Sequence, residues 1–515
     1  MNTLRHRPPI QIRAGQLSLI TQVRPICTVL ARVVQGSARP ALRRCHPQHE
    51  PNRGGLLAPF ARVAHPPNGT PASMILCGTS QDGKLLTVRF HDATFTFHAQ
   101  WLHDARCDNG PARDANAAFC QQHRAVFIET TSVASEGDKT TLNITWNTGE
   151  ISRFPIPWLR VFAPLVAGSR SSDAAQNVPS SKGWLVDALT IPEVRYSDII
   201  PDSSASSTKM YEASVMRVLD DLLHDSSPGI IRVIDLPAAN IDDERNKVNT
   251  LVTRVLKQLF GSVFVHPRRG VDKTFNIASH HEDDVKRATG LPNYDTNKVL
   301  LPHCDHAHYD TPAHVMGLYG LEGESENTYV SGHAVLATLR EEAPELFDKL
   351  CKAPIGIGRV APFYDPPMYQ ATVDTAVTMH PGFPDKVKRF RWHPHLSGSL
   401  LSTFDDFHSA RAAHQKFQEI MRRDTHQLKL PLKPGDLYIW DNFRLLHGRE
   451  RVLKVPRTSV GQTVPEQVVS SRYRDLKIAQ LKQYIDQRWL VQVPIAQLND
   501  LLAIVNSEGT SPGQV

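Results

Sequence analysis

Between residues 84 and 162 the chain alternates apolar and polar positions with a period of two. Leu86, Val88 and Phe90 form one run, Phe95 and Phe97 a second, and Leu142, Ile144 and Trp146 a third. Such alternation puts one face of a strand against a core. Asn147-Thr148-Gly149 reads as a turn, after which Ile151 and Phe154 resume the pattern. These runs predict a small β-rich domain over 76–165. A Ser-, Gly- and Asp-rich stretch then predicts a linker over 166–184.

From 185 onward the period is mixed. Met210, Ser214, Val218 and Leu222 recur at helical spacing and predict a helix over 210–224. Ile230-Ile231-Arg232-Val233-Ile234 predicts a buried strand. Further helices are predicted over 243–260, 333–351 and 408–424. Short strands are predicted at 314–320, 353–359, 388–393, 398–403, 436–440 and 457–463. Many short strands with a few covering helices imply a mainly β domain over 185–465, an antiparallel barrel or sandwich. The remainder, 466–515, reads as a helical tail that caps the domain or dimerises, so a homodimer is one expectation.

Composition narrows the class. Hydrophobic residues make up 41% and charged residues 21%, enough apolar surface for a real core. No stretch approaches the roughly 18 uninterrupted apolar residues of a membrane span. Seven scattered cysteines (27, 45, 77, 107, 120, 304, 351) form no CxxC pair, which argues against a disulfide scaffold and for a reducing compartment.

The formal charge of +6 is unevenly spread. Residues 1–75 carry ten Arg, no Lys and one acid, Glu50, for a balance of +9. The other residues carry 58 − 10 = 48 bases against 52 − 1 = 51 acids. That slightly acidic body offers no basic nucleic-acid surface. The Arg-rich, acid-poor leader over 1–75 is expected to be disordered and fits a mitochondrial transit peptide. A basic leader without targeting, and hence a cytoplasmic protein, is the alternative.

Two segments carry candidate chemistry. In Leu301-Pro302-His303-Cys304-Asp305-His306-Ala307-His308-Tyr309, His303 and Asp305 stand two apart, on one side of an extended backbone. The second, KPGDLYIWDNFRLLHGR over 433–449, runs from a turn into a strand and delivers a lone His447. Each feature alone is commonly structural. Together, His303, Asp305 and His447 make a two-histidine, one-carboxylate set able to hold Fe(II) on one face and leave the opposite positions open. Arg457 follows ten residues later and opens the strand Thr458-Ser459-Val460-Gly461-Gln462. Its planar fork suits bidentate capture of a carboxylate. A hydrolytic zinc drawn from His303, Asp305, His306 and His308 is the competing reading.

The block KPGDLYIWDNFRLLHGRE resembles the C-terminal iron-ligand block of the γ-butyrobetaine and trimethyllysine dioxygenases. These belong to the taurine-dioxygenase-like group of Fe(II)- and 2-oxoglutarate-dependent oxygenases. LPHCDHAHY resembles the family's HTD segment, with Cys304 where Thr is usual. Trp101-Leu102-His103-Asp104 looks like its WLRD, and Trp146-Asn147-Thr148-Gly149 like its WPDG. The resemblance covers about 84–465. It implies a double-stranded β-helix (jelly-roll) catalytic domain behind the small N-terminal domain. It further implies His303, Asp305 and His447 as iron ligands, and Arg457 as the grip on the distal carboxylate of 2-oxoglutarate. The implied reaction couples decarboxylation of 2-oxoglutarate by O₂ to hydroxylation of an unactivated C–H of a small metabolite, with ascorbate as reductant. Carnitine biosynthesis is the implied setting. The same chemistry on an unrelated small acid or secondary metabolite is the alternative.

Three departures qualify the resemblance. Where the family often carries a Cys-rich zinc site, only Cys107 follows the WLRD-like segment, with Asp108, Asn109 and Gly110 behind it. Glu150 stands where a ligand His belongs, and Cys120 and His123 are too few for a tetrahedral site, so no zinc is expected. The family's aromatic-cage segment reads Phe264-Val265-His266-Pro267-Arg268-Arg269-Gly270, and its two arginines oppose a cationic substrate. Tyr294, Tyr309 and Trp392 are the remaining candidate substrate contacts, against a reading as ordinary half-buried aromatics. The tail is also longer than the simplest members need.

Overall fold

The computed structural model describes residues 76–509 except 91–92, 108–125, 137–138, 170–182, 201–207, 238–249, 265–274, 280–298, 362–367, 382 and 453–456. The leader over 1–75 therefore lies outside the described residues.

Two facing antiparallel sheets form the centre, a double-stranded β-helix. The larger has six strands, in the order Phe275–Ser279, Arg457–Pro465, Ala313–Glu322, Leu437–Asp441, Ile230–Ile234 and Glu193–Arg195. Only the last pair runs parallel. The smaller has four, in the order Leu300–His303, Leu445–Arg449, Ser325–Ser331 and Gln427–Leu432. Ile230, Met316, Leu318, Tyr329, Leu432, Tyr438, Trp440 and Leu445 fill the space between the sheets.

The outer face of the larger sheet is covered by the helices Thr208–Leu223, Leu251–Phe260 and Glu466–Leu481, through Val218, Leu222, Val252, Leu256, Val469 and Tyr473. Thr250 caps the second of these, its Oγ1 accepting from the Thr253 backbone N–H at 3.3 Å. Behind the smaller sheet, Gly332–Glu342, Pro344–Lys352 and Phe407–Met421 enclose Cys304, Leu339, Leu350, Phe390, Trp392 and Phe417. The single helix expected over 333–351 is thus two. Pro344 cannot donate to the preceding turn, and the chain breaks at Ala343, whose φ is −149°.

The N-terminal region forms two sheets, Leu76–Thr79, Leu85–Arg89, Thr94–His98 with Gly168–Ser169, and Ile128–Glu136, Lys139–Trp146 with Ile151–Pro155. Leu86, Val88, Phe97, Leu142, Ile144 and Trp146 point inward. After the turn the inward positions are Ser152 and Phe154 rather than Ile151, which is 59% exposed. Trp146 accounts for this, because its Nε1–H donates to Ser152 Oγ at 2.8 Å inside the core. Leu481, Trp489, Leu490, Leu498 and Leu501 of the tail complete this same core.

Candidate metal centre

Register brings the two sequence segments together. His303 ends one strand of the smaller sheet and pairs directly with His447 on its antiparallel neighbour. Their rings lie 4.4 Å apart. The approach depends on Gly448, where a Cβ would sit 2.5 Å from the Leu300 carbonyl oxygen. Past His303 the chain leaves the sheet and turns at His306, which takes a left-handed φ of 59°.

The turn swings Asp305 back over the histidines. Its Oδ1 lies 3.3 Å from His303 Nε2 and its Oδ2 lies 3.8 Å from His447 Nε2. One ligand atom from each of His303, Asp305 and His447 falls within 4.8 Å of the others, and no further group of three such side chains converges among the described residues. His306 and His308, which the zinc-hydrolase reading needs, do not join it.

Neighbouring side chains fix this geometry. Asn442 is 1% exposed. Its Oδ1 accepts from the Asp305 N–H at 3.0 Å, and its Nδ2 donates to the carbonyls of Asp305 at 3.1 Å and Ala313 at 2.9 Å. Arg391 donates to the carbonyls of Tyr309 at 2.9 Å and Asp310 at 3.1 Å, holding the far end of the loop. His303 Nδ1 lies 2.9 Å from the Leu301 carbonyl, which turns its Nε2 toward Asp305. Sequence reading missed these clamps. Asn442 lies within the quoted C-terminal block, but nothing local to Arg391 marks its role.

The protonation states suit a divalent cation, which takes neutral imidazoles and ionised carboxylates. Burial would raise the Asp305 carboxyl, but the hydrogen bond from His303 and the charges of His447, His303 and His306 hold it well below the usual range. Burial and the neighbouring His303 push His447 down to about 3.

Arg457 is 2% exposed, and its Nη1 has no hydrogen-bond partner. Burial, with the charge of Arg449, pulls it down to about 9. A buried guanidinium without a counter-ion is costly, and an anionic ligand would relieve that cost. Cys304 points away from the cluster into the apolar layer, where burial pushes its thiol up to about 12.

The expected substrate aromatics fare differently. Tyr309 is half-buried, its ring 5.1 Å from His306 and 5.7 Å from Phe264. Trp392 stacks on His414 at 5.5 Å and packs on Phe417, so its indole belongs to the layer behind the smaller sheet. Only its carbonyl reaches the loop, accepting from the Cys304 N–H at 2.7 Å. Tyr294, Arg268 and Arg269 lie outside the described residues, as do Asp108, Asn109, Gly110, Cys120 and His123. Glu150 pairs with Arg106, and Cys107 packs by the Arg488 carbonyl.

A double-stranded β-helix with two imidazoles and one carboxylate converging at its centre defines the class of non-haem metal-dependent oxygenases. Residues 208–460 match the model of the taurine catabolism dioxygenase TauD, TfdA family. The chain carries a dioxygenase domain of that family and is an oxidoreductase. It is 22% identical over 410 residues to the mitochondrial trimethyllysine dioxygenase of Gallus gallus, spanning 77% of this chain and 87% of that one. It is also 22% identical over 368 residues to the γ-butyrobetaine dioxygenase of Pseudomonas sp. (strain AK-1), spanning 69% and 83%. Among solved structures, an asparagine oxygenase in complex with Fe(II) and succinate covers 53% of this chain and 93% of its own at 14% identity and TM-score 0.38.

Proposed function

We propose that the chain is an Fe(II)- and 2-oxoglutarate-dependent dioxygenase that hydroxylates an unactivated C–H of a small metabolite. His303, Asp305 and His447 hold the metal on one face, and Arg457 receives the distal carboxylate of the oxo acid. The observation that carries this is the convergence of the three ligand atoms within 4.8 Å. The bare, buried guanidinium of Arg457 supports it independently. When bound, iron would couple the oxidative decarboxylation of 2-oxoglutarate to succinate and CO₂ with transfer of one oxygen atom of O₂ to the substrate. The chain's own part is positional. Asn442 and Arg391 fix the Asp305 loop, His303 and His447 present Nε2 toward Asp305, and the apolar filling between the sheets excludes water.

The named relatives make trimethyllysine and γ-butyrobetaine the first substrates to try. Their mitochondrial members, with the Arg-rich leader, make mitochondrial import the companion reading. The test is aerobic succinate formation by the full chain with Fe(II), ascorbate and 2-oxoglutarate, with and without either amine. Iron-dependent succinate is expected, and it should vanish in Asp305→Asn. Turnover of 2-oxoglutarate that is indifferent to iron, or undiminished in that variant, would refute the assignment. A reporter fused to residues 1–75 tests import, and a diffuse cytosolic signal would remove that part.

A further inference from the structure

Outside the metal centre, a cleft of about 200 Å³ opens between the N-terminal sheet that holds Lys139–Trp146 and Ile151–Pro155 and the C-terminal tail. None of its lining residues belongs to the two central sheets. The tail supplies Ile485, Asp486 and Trp489 after the helix Glu466–Leu481, and Val505 from the helix Ile495–Gly509.

The base of the cleft is apolar. Ile485 is 2% exposed, and Trp489 and Val505 are each 5% exposed. Trp489 cannot swing in to fill the space. Its ring is held against Trp158 and Phe154, and its carbonyl accepts from Trp158 Nε1–H at 3.2 Å.

The mouth is cationic. Thr141 pairs with Pro155 across the two strands, and Asn143 with Arg153. Residues two apart on a strand share a face. Lys139 and Arg153 therefore flank the Thr141–Pro155 pair on one face, and both line the cleft. Both are exposed, and neither side chain forms a hydrogen bond or an ion pair among the described residues. The acid of the lining, Asp486, is taken by Arg488, whose Nε lies 3.1 Å from Oδ1 and whose Nη2 lies 2.9 Å from Oδ2. The Arg488 N–H also donates to Oδ1, at 2.9 Å, and Lys139 adds only a longer-range attraction.

Shape and charge together define an occupant. An apolar cavity of about 150 Å³ takes a benzene-sized molecule. This cleft is somewhat larger, with room for such a body and one ionised group. Two cations at the mouth repel a cationic ligand and attract an anion, and the planar fork of Arg153 suits a carboxylate.

We propose that this cleft is a second small-molecule site, for a small carboxylate with a ring-sized apolar body. The body lies on Ile485, Trp489 and Val505, and the carboxylate lies between Lys139 and Arg153. An occupant ties the tail to the N-terminal sheet and so raises the stability of the whole chain.

The experiment uses the full chain with Fe(II) and excess 2-oxoglutarate in the absence of O₂, so that the metal centre is offered its own ligands without turnover. Benzoate, benzamide and inorganic phosphate are titrated, and binding is read by calorimetry and by melting temperature. Benzoate is expected to bind one site per chain and to raise the melting temperature. Benzamide lacks the charge and phosphate lacks the apolar body, so each should bind about tenfold or more weakly. Lys139→Gln and Arg153→Gln should each weaken benzoate by up to about fivefold, the upper end for an exposed charge pair. The double variant should discriminate little between benzoate and benzamide. Both side chains are exposed, so ligand-free melting temperature and iron-dependent succinate formation should stay at wild-type values. Benzoate that does not bind, that binds no better than benzamide or phosphate, or that binds the double variant as tightly as wild type would overturn the site.

Discussion

Replacing Arg457 by methionine should make the ligand-free protein more stable. Arg457 is 2% exposed at the start of the strand Arg457–Pro465, with Nη1 unpartnered and the charge of Arg449 nearby. Burial first, and Arg449 second, pull its folded value down to about 9. The gap to an ordinary guanidinium, above 12, corresponds to a ceiling of about 5 kcal/mol at 1.36 kcal/mol per pH unit. The sign follows directly. The unfolded chain binds this proton more tightly than the folded one, so the cost is fully present below pH 9 and declines only as pH rises above it. Replacing buried ionic groups by apolar side chains of similar volume stabilises by about 1–4 kcal/mol. Arg457→Met should therefore gain about 1–4 kcal/mol in urea unfolding at pH 7 without 2-oxoglutarate. Ligand reverses the order. Wild type at one hundred times its dissociation constant gains about 2.7 kcal/mol, whereas the variant gains nothing. A ligand-free variant less stable than wild type, together with a wild type indifferent to 2-oxoglutarate, would show that Arg457 is satisfied within the fold.

Asn442→Ala removes three hydrogen bonds to the backbone of Asp305 and Ala313. It should cost about 2–4 kcal/mol in urea unfolding and weaken metal binding about 10–100-fold in chelator competition; unchanged metal affinity would mean that Asp305 is held by other means. His308, His333 and His447 are each held at about 3, chiefly by burial. The unfolded chain takes up protons that these rings refuse, so the metal-free protein should keep their full contribution above about pH 6.5 and lose it on acidification toward pH 3. Urea midpoints that stay flat from pH 7 to 4 would contradict this. Trp489→Ala should cost about 3–5 kcal/mol, because Trp489 is 5% exposed and packs on Trp158 at 4.8 Å and Phe154 at 5.2 Å. An unchanged thermal midpoint would mean that the tail only lies on the surface.

The sequence was legible where the determining contacts are local. Alternation at Leu86, Val88 and Phe97 marks inward positions because a strand has no other way to present one face. The C-terminal block announced His447 because turn, strand and ligand lie within seventeen residues of one another. Long-range contacts left no such mark. Asn442 acts on Asp305, 137 residues earlier, and Arg391 on Tyr309, 82 residues earlier. Periodicity shows that a tail helix has an apolar face, but not that the face completes the N-terminal core. Trp392 illustrates the converse error. An aromatic near a site motif suggests a substrate contact, yet period two along the chain from Phe390 sends its indole to the helical side.

Among the buried arginines, Arg391, Arg444 and Arg457 contrast scaffold with proposed site. Arg391 and Arg444 are 2% and 8% exposed. Arg391 spends its donors on loop carbonyls and Asp374. Arg444 donates to the carbonyls of His224, Asp225 and Ser227 and to Ser227 Oγ. Each ties distant segments together, and each belongs to the same C-terminal half as Arg457. Arg457 is equally buried but has no ion pair among the described residues. Other buried atoms lack partners, including His333 Nε2, His414 Nε2 and Trp440 Nε1, but these sit on neutral rings, where the cost is that of one hydrogen bond. A bare cation costs several times more. Arg391 and Arg444 are engaged within the fold, whereas Arg457 lacks a counter-charge among the described residues, as the proposed role of receiving an anion requires. On the proposed reading, an oxo acid with a second, distal carboxylate would offer one end to the metal ligands and the other to Arg457.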